Sequence, residues 1–234
     1  MIMIITPSPS RPRPGREETK MRIITVSRQF GSGGRELGKR LAGILNWDYY
    51  DREIIAALAD EQGLDPEYVR RTLATHGWHH YQLTYRNSFQ RSLAPSFHSG
   101  SLLAGQRDII LEIAQAGNDC VIVGRDADVI LHDMNPFRVF VCADIASRLD
   151  RCMAHEAKKD PVDRLSEKEI LRNIRRIDRN RTRTREVLTG KHAADFSAFD
   201  LIVNTSNKNI RTLAEAVAEY SGHWFENDDQ TSRG

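Results

Sequence analysis

A glycine-rich run near the start of the sequence has the residue types that bind phosphate. The run is Gly31, Ser32, Gly33 and Gly34, and Arg35 follows it directly. Glycine lets successive backbone N–H groups turn toward one anion, and the N-terminus of a following helix adds partial positive charge at the same place. The run therefore favours a nucleotide or another phosphorylated ligand. A tight strand-to-helix turn without any ligand is the plain alternative.

The run matches the triphosphate-binding motif G-x-x-x-x-G-K-[ST] only in part. With Gly33 as the second glycine, Arg28 falls at the first glycine, Gly34 at the lysine and Arg35 at the Ser/Thr. The dinucleotide motif G-x-G-x-x-G fits no better, because Glu36 stands where its third glycine is required. Our hypothesis is that Arg35, one position after the missing lysine, contacts the phosphate groups of the ligand instead.

Two further polar clusters follow apolar runs that predict strands. Asp51 follows the short run 47–50, and the motif G-R-D, with Arg125 and Asp126, follows the run 120–123. Arg125 suits a bidentate contact with an acceptor monophosphate, and Asp126 can orient that arginine or contact the acceptor itself. A structural ion pair is the alternative for Arg125 and Asp126. A helix cap is the better explanation of Asp51 taken alone.

A basic segment near residue 180 predicts a helix with cations on one face. Arg181 and Arg185 are spaced i,i+4, and Asp178 and Arg181 are spaced i,i+3. Such a helix can carry positive charge over a bound triphosphate. A solvated basic face is the ordinary explanation of such a segment, and nucleic-acid contact is the next. Nucleic acid is unlikely, because aromatic residues are not interleaved with these arginines.

The order of apolar runs predicts the fold class. Strand-like runs alternate with helical patterns, which is typical of a parallel, doubly wound α/β sheet. In such a sheet ligands bind beyond the carboxyl ends of the strands, where the glycine run, Asp51 and the G-R-D motif all lie. Beyond the glycine run, the predicted helices cover 102–116, 145–155 and 209–220, and the predicted later strands cover 138–142 and 201–203.

Composition limits the protein to one main domain. The chain has 234 residues, of which 40% are hydrophobic, and its net charge is +2. The residues Cys120, Cys142 and Cys152 form no paired pattern, which predicts reduced thiols in a cytoplasmic protein. No apolar run approaches the roughly 18 residues of a membrane span. The group His76, His79 and His80 lacks neighbouring ligands, so a metal site is not favoured there.

Local composition divides the chain into three parts. Residues 1–20 are predicted to be a disordered extension, and residues 223–234 a flexible tail. The domain between them, 21–222, contains an irregular aromatic segment at 75–100, which suggests an acceptor-side insert or lid. The basic segment at 160–190 suggests a second lid-like element.

Taken together and in this order, the motifs resemble the cytidylate-kinase-like family of P-loop nucleoside monophosphate kinases. They are I-T-V-S-R-Q-F-G-S-G-G-R-E-L, W-D-Y-Y-D-R-E-I-I, V-I-V-G-R-D-A-D-V-I-L, and D-R-N-R followed by F-D-L-I-V-N-T-S. The resemblance runs from Met21 to about Tyr220. It implies a three-layer α/β/α P-loop NTPase fold with a parallel sheet and a helical lid or insert. It also implies a kinase that uses Mg²⁺ and ATP as donor and CMP or dCMP as acceptor.

The resemblance also implies a role for each cluster. The glycine run would hold the donor phosphates, and Arg125 and Asp126 would hold the acceptor beside Asp51. Asp178 would contact the acceptor sugar, and Arg181 would neutralise the transferring phosphate.

The sequence departs from true cytidylate kinases at several motif positions. Gly34 stands at the lysine of the loop, and Arg35 and Glu36 replace the small residue and threonine that follow it. Val123 stands where an aspartate precedes G-R-D, and Ile174 replaces one arginine of the lid. A catalytically weak or inactive nucleotide-binding regulatory module with the same fold is therefore the alternative to an enzyme.

Overall fold

Apolar runs of four to six residues form most of a parallel sheet. The computed structural model describes residues 21–51, 100–190 and 196–231. Within them, five strands lie in the order β2–β3–β1–β4–β5, and every neighbouring pair is parallel. The strands are β1 (Ile23–Arg28), β2 (Asp48–Tyr50), β3 (Cys120–Val123), β4 (Phe137–Cys142) and β5 (Leu201–Asn204).

Helices follow the strands in alternation. Because a parallel connection must cross back over the sheet, each strand-to-strand crossover needs a long segment, usually a helix. The described helices are α1 (Gly34–Leu45), α2 (Gly100–Gln115), α3 (Ala127–Ile130), α4 (Ile145–Glu156), α5 (Glu167–Thr189) and α6 (Ile210–Thr231).

Apolar side chains cover both faces of the sheet. Successive residues of a strand point to opposite faces, so Ile23 and Ile24 of β1, both buried, belong to two different cores. Ile24 packs in the core that α1 and α6 cover, together with Leu41 and Phe137. Ile23 packs in the core that α2 covers, together with Ile110. The predicted α/β architecture, with helices on both faces of a parallel sheet, is confirmed.

A glycine brings α1 close to the sheet next to the site. A Cβ atom on Gly38 would lie 2.5 Å from Cγ2 of Val123. Only glycine fits at this distance, so α1 packs tightly on β3 and its first residue, Gly34, is held at the end of β1.

Helices α4 and α5 pack on each other through a small third core. It contains Cys152 of α4 and Ile170 and Ile174 of α5, all buried. Helix α5 begins with a capping box between Ser166 and Glu169, whose side chain accepts a hydrogen bond from the Ser166 N–H at 2.8 Å. These contacts fix where the basic face of α5 meets the sheet.

The last helix is longer than the sequence predicted. It was expected to end near Tyr220 and give way to a flexible tail at 223, but it continues to Thr231. The reason is apolar packing, since the rings of Trp224 and Phe225 lie 5.2 and 6.3 Å from the ring of Phe137. The predicted extension 1–20 and insert 75–99, including the three histidines, lie outside the described residues.

We expect Phe225→Ala to destabilise the protein by about 3 kcal/mol, because it removes a large side chain that is 7% exposed from the core. A flexible tail would show no such effect. Ile44→Ala is the matched control, since Ile44 is 49% exposed on α1. The measurement is urea-induced unfolding of both variants. Equal unfolding midpoints would contradict the packing described for α6.

Candidate active site

The glycine run forms the turn between β1 and α1. Gly31 and Gly33 have φ angles of 77° and 79°, a left-handed backbone that favours glycine. Ser32 lies between them and is fully buried, and its hydroxyl donates to the Gln29 carbonyl at 2.9 Å. The backbone N–H of Ser32 donates to the same carbonyl at 3.4 Å, so Ser32 shapes the turn, and the phosphate contact expected of it stays a prediction. We call residues 29–34 the phosphate loop.

The carbonyl groups of the phosphate loop are bound by the protein beneath it. Arg148 of α4 donates from Nε to the carbonyl of residue 30 at 2.7 Å, and Arg151 donates from Nη1 to that of residue 31 at 3.4 Å. Thr205, just after β5, donates from Oγ1 to the carbonyl of residue 32 at 2.6 Å. The N–H groups of residues 29 and 30 also donate within the protein, to the carbonyl of Val141 and to Asp178. The predicted phosphate contact therefore rests on the N–H groups of Gly31, Gly33 and Gly34.

Close packing explains a second requirement for glycine in the loop. A Cβ atom on Gly31 would lie 3.1 Å from Sγ of Cys152, and one on Gly33 would lie 2.8 Å from Cδ1 of Ile210. The loop therefore lies directly on α4 and α6. A backbone cradle that lacks side chains and sits at a helix N-terminus fits the phosphate groups of a nucleotide.

Asp178 of α5 contacts the phosphate loop itself. Its Oδ1 accepts a hydrogen bond from the N–H of Phe30 at 2.7 Å, and its Oδ2 forms an ion pair with Arg148. Arg181 lies 3.8 Å from the same carboxylate. Asp178 therefore joins α5, α4 and the loop. The sugar contact that the resemblance implies for Asp178 stays a prediction.

Arg181 and Arg185, which their i,i+4 spacing places on one face of α5, both reach the sheet. Arg181 donates from Nη1 to the carbonyl of Arg28 at 2.9 Å, and its guanidinium lies 5.8 Å from the ring of Phe30. Arg185 donates to Oδ2 of Asp128 at 2.6 Å, and Asp128 also accepts from Oγ of Ser27 at 3.1 Å. Both arginines thus reach the carboxyl end of β1, whereas Arg183 is exposed.

The motif G-R-D at the end of β3 has an unusual backbone. Gly124, Arg125 and Asp126 have φ angles of 82°, 61° and 51°, so two residues with side chains take the left-handed conformation in succession. Such a backbone is rare outside glycine and clusters at functional sites.

Asp126 is the carboxylate on which the arginines converge. Burial raises its pKa to about 6, with the negative charge of Asp128 adding to the effect, while Arg185, Arg181 and Arg125 oppose it. Arg125 and Arg181 are therefore close enough to act on one carboxylate. That the G-R-D motif and the basic helix serve one site stays a prediction.

The end of β2 holds Asp51 and Arg35 together. Asp51 is 2% exposed, and its Oδ2 accepts from Nε of Arg35 at 2.7 Å and from the hydroxyl of Tyr49 at 3.2 Å. Burial and the charge of Asp51 raise the pKa of that hydroxyl. Arg35 thus positions Asp51 from the first turn of α1. Its predicted reach to the donor phosphates stays a prediction.

The positions that depart from true cytidylate kinases are partly core positions here. Val123 is fully buried under α1, and Ile174 is 1% exposed between α4 and α5. Neither can contribute charge to the site. Among the described residues, no group of three or more His, Cys, Asp or Glu side chains could hold a metal ion.

Sequence reasoning missed the residues that support the loop. Arg148 and Arg151 lie outside every recognised motif, while Thr205 and Asp128 lie within quoted motifs and were given no role there. The i,i+3 spacing of Arg148 and Arg151 on α4 was the one available signal, and it is also typical of an ordinary solvated face.

The fold and the site together define a class of protein. The central strand of a parallel sheet ends in a glycine loop that runs into a helix, and an arginine-bearing helix crosses that loop. This is the architecture of the P-loop kinases.

Comparison with known proteins narrows the class to a family. The model of the cytidylate kinase-like family matches residues 23–207. An uncharacterized protein from Eubacterium ventriosum is similar in structure with a TM-score of 0.61 and 21% identity, over 86% of this chain and 98% of that one. Shikimate kinase from Bacteroides thetaiotaomicron is similar with a TM-score of 0.51 and 15% identity, over 88% of this chain and 99% of that one. A search of curated proteins found no significant match.

The chain therefore belongs to the cytidylate kinase-like family, as its motifs predicted. The two solved structures support the fold alone at these identities. Membership in a kinase-like family, together with the fold, supports a phosphotransferase.

We expect Asp126→Asn to stabilise the protein at neutral pH. The pKa of Asp126 is about 6, against 3.8 for an ordinary aspartate, so between these pH values the folded state binds more protons and its stability falls as the pH rises. Above pH 6 the cost is at most about 3 kcal/mol, and an amide, which does not ionise, removes it. Asparagine also tolerates the left-handed backbone.

Thermal unfolding at pH 4 and pH 7.5 measures this effect. Asp126→Asn should gain stability at pH 7.5 and show little gain at pH 4. Asp150→Asn, at an exposed aspartate of α4, is the control and should change little at either pH. A gain of equal size at both pH values would contradict the role given to ionisation.

Proposed function

We propose that the protein is a nucleoside-monophosphate-kinase-type phosphotransferase that moves the γ-phosphoryl group of ATP to CMP, dCMP or a related small acceptor. The observation that carries the proposal is the arrangement at one edge of the sheet. The phosphate loop lies at the end of β1, and beside it Arg181 donates to the carbonyl of Arg28 at 2.9 Å and Arg185 pairs with Asp128 at 2.6 Å. Arg125 follows the end of the neighbouring strand β3. Phosphoryl transfer needs positioning and positive charge more than covalent chemistry from the protein, and this edge offers both.

The residues divide into a donor side and an acceptor side. The N–H groups of residues 31–34 and the N-terminus of α1 would bind the donor phosphates. Arg125 and Asp126 would hold the acceptor nucleotide, beside Asp51 and Asp178. Arg181, already at the carbonyl of Arg28 beside the loop, would neutralise charge on the transferring group.

The donor fits the loop better than a metal fits the surrounding carboxylates. Asp51, Asp128 and Asp178 each accept a hydrogen bond from an arginine, which leaves them poor candidates for metal ligands. Mg²⁺ would then enter with ATP and be held mainly by the phosphate oxygens of the nucleotide. It would supply charge neutralisation between those oxygens.

A regulatory nucleotide-binding module is the second candidate. Two observations favour it. Gly34 stands where the motif has its lysine, and the carboxylate of Asp178 already accepts the N–H of Phe30 beside the loop. Such a module would bind a nucleotide and release no diphosphate product.

Nucleic-acid binding through α5 has less support. Arg181 and Arg185, which share one face of that helix, contact Arg28 and Asp128, and the side chain of Arg185 is only 13% exposed. No helix within the described residues is long and apolar enough to cross a membrane. We propose a cytoplasmic location, on the basis of the three cysteines, which are unpaired in the structure.

Incubation of the purified protein with Mg-ATP and a panel of nucleoside monophosphates tests the proposal. We expect a diphosphate product from CMP, dCMP or a related acceptor. Binding of ATP without product from any acceptor would support the regulatory module instead. Absence of both binding and product would contradict both candidates.

Arg181→Met should lower the rate of product formation by about 100-fold or more, because a cation at the transferring group is removed. Arg183→Met is the matched control, since Arg183 is an exposed arginine of the same helix. The measurement is kcat for the best acceptor of the panel. Equal kcat values for the two variants would remove Arg181 from the proposed site.

A further inference from the structure

Arg28 is an arginine of the site that no motif assigned to a role. It is the last residue of β1, and its side chain runs over the first residue of α1. A Cβ atom on Gly34 would lie 2.8 Å from Cβ and 3.2 Å from Cδ of Arg28. The stem of Arg28 therefore occupies the space where the motif lysine would begin.

The guanidinium of Arg28 ends at the G-R-D turn of β3. A Cβ atom on Gly124 would lie 3.0 Å from Cζ of Arg28 and would overlap its Nη1. Gly124 thus leaves room for this guanidinium, in addition to its left-handed φ of 82°. Because Arg125 and Asp126 follow directly, Arg28 lies next to the residues proposed for the acceptor.

The electrostatic environment places Arg28 on the same side. Its positive charge lowers the pKa of the Tyr49 hydroxyl, against the larger effects of burial and of Asp51. Tyr49 donates to Asp51 at the end of β2. The guanidinium of Arg28 at Gly124 thus reaches from the end of β1 to the turn after β3, next to the residues proposed for the acceptor.

Arg35 has a different position. Its Nε donates to Asp51 at 2.7 Å, so its charge offsets that of a carboxylate which is 2% exposed. Such a pairing makes Arg35 a positioning residue for Asp51. Arg28 is instead the arginine whose stem lies against Gly34 of the phosphate loop and whose guanidinium reaches Gly124 at the G-R-D turn.

We propose that Arg28, rather than Arg35, supplies the positive charge that the phosphate loop lacks, by binding the terminal phosphate of the donor where it meets the acceptor. This inference rests on the proposed function. In that reaction an oxygen of the acceptor phosphate forms a new bond to the γ-phosphorus. The bond from that phosphorus to the β–γ bridging oxygen breaks, and ADP leaves with the electron pair.

The chemistry of guanidinium suits this place. Its planar fork can donate to two oxygens at once, and it stays charged at every physiological pH. Charge in the transition state spreads over the three peripheral oxygens of the transferring group, so a fork between donor and acceptor stabilises that state. A guanidinium placed there distinguishes ATP from ADP, because only ATP carries a phosphate that reaches it.

Binding of Mg-ATP and Mg-ADP, measured by isothermal titration calorimetry, tests the inference without relying on turnover. We expect Arg28→Met to weaken ATP binding about 10- to 100-fold, as for loss of a hydrogen bond to a charged group. ADP binding should weaken less than about threefold, since interactions with more distant charges are screened. Arg28→Lys keeps the charge without the planar fork, so its affinity for ATP should lie between those of the unaltered protein and of Arg28→Met.

Arg40→Met is the matched control. Arg40 is an exposed arginine of α1 that pairs with Glu36 at 2.8 Å, and its loss should leave both affinities unchanged. Thermal unfolding of each variant shows that it is folded. If Arg28→Met is unfolded, Arg28→Lys decides the question through the same ratio of ATP to ADP affinity.

The outcomes separate the inference from the proposed function. If the unaltered protein binds ATP and Arg28→Met or Arg28→Lys keeps its preference for ATP over ADP, the inference is wrong and the proposed function stands. If the unaltered protein binds neither nucleotide, both are wrong. A loss of the ATP preference in the Arg28 variants, with Arg40→Met unchanged, supports the inference.

Discussion

The phosphate loop keeps its shape because its carbonyl oxygens are bound from below. Arg148 and Arg151 of α4 and Thr205 after β5 hold the three successive carbonyl groups of residues 30–32. Hydrogen bonds from charged donors are stronger than those between neutral groups, so two arginines make this a firm attachment. Everything proposed for the site depends on it, since the N–H groups face a ligand only while the carbonyl groups stay turned away.

The second feature of the site is a group of charged side chains that are wholly or partly buried. Asp126 and Asp128 lie close together, and Arg125, Arg181 and Arg185 act on the first of them. Even with three cations nearby, burial keeps the pKa of Asp126 above its usual value, so the ionised carboxylate is unfavourable in the folded protein. Proteins carry such unfavourable groups mainly where function requires them. An acceptor that brings its own hydrogen-bond donors would relieve part of this cost.

The sequence was enough to predict the sheet and the places where its strands end. Continuous apolar runs such as Cys120–Val123 indicate strands covered on both faces, and a glycine run after such a strand indicates a turn that needs left-handed backbone. The i,i+4 spacing of Arg181 and Arg185 also predicted their shared face. These signals are local, so they can be read without knowing what packs where.

The contacts between distant segments were beyond the sequence. Arg148 is 118 residues from the carbonyl it binds, and Asp178 is 148 residues from the N–H it accepts. No periodicity encodes such pairings. The pairing of Arg35 with Asp51 was also missed, because the sequence analysis assigned Arg35 to the donor and Asp51 to the acceptor. The end of α6 was missed because polar residues after Trp224 and Phe225 hid their packing on Phe137.

Helix α5 and the phosphate loop are mechanically one part. Asp178 accepts a hydrogen bond from the N–H of Phe30, and Arg181 donates one to the carbonyl of Arg28. The helix is therefore bound to the chain on both sides of residue 29. A rotation of the helix about its axis would stretch at least one of these two hydrogen bonds. A rearrangement of α5 would therefore be transmitted to the loop as a change in backbone shape, and the grip of the loop on an anion would in turn bias the angle of the helix.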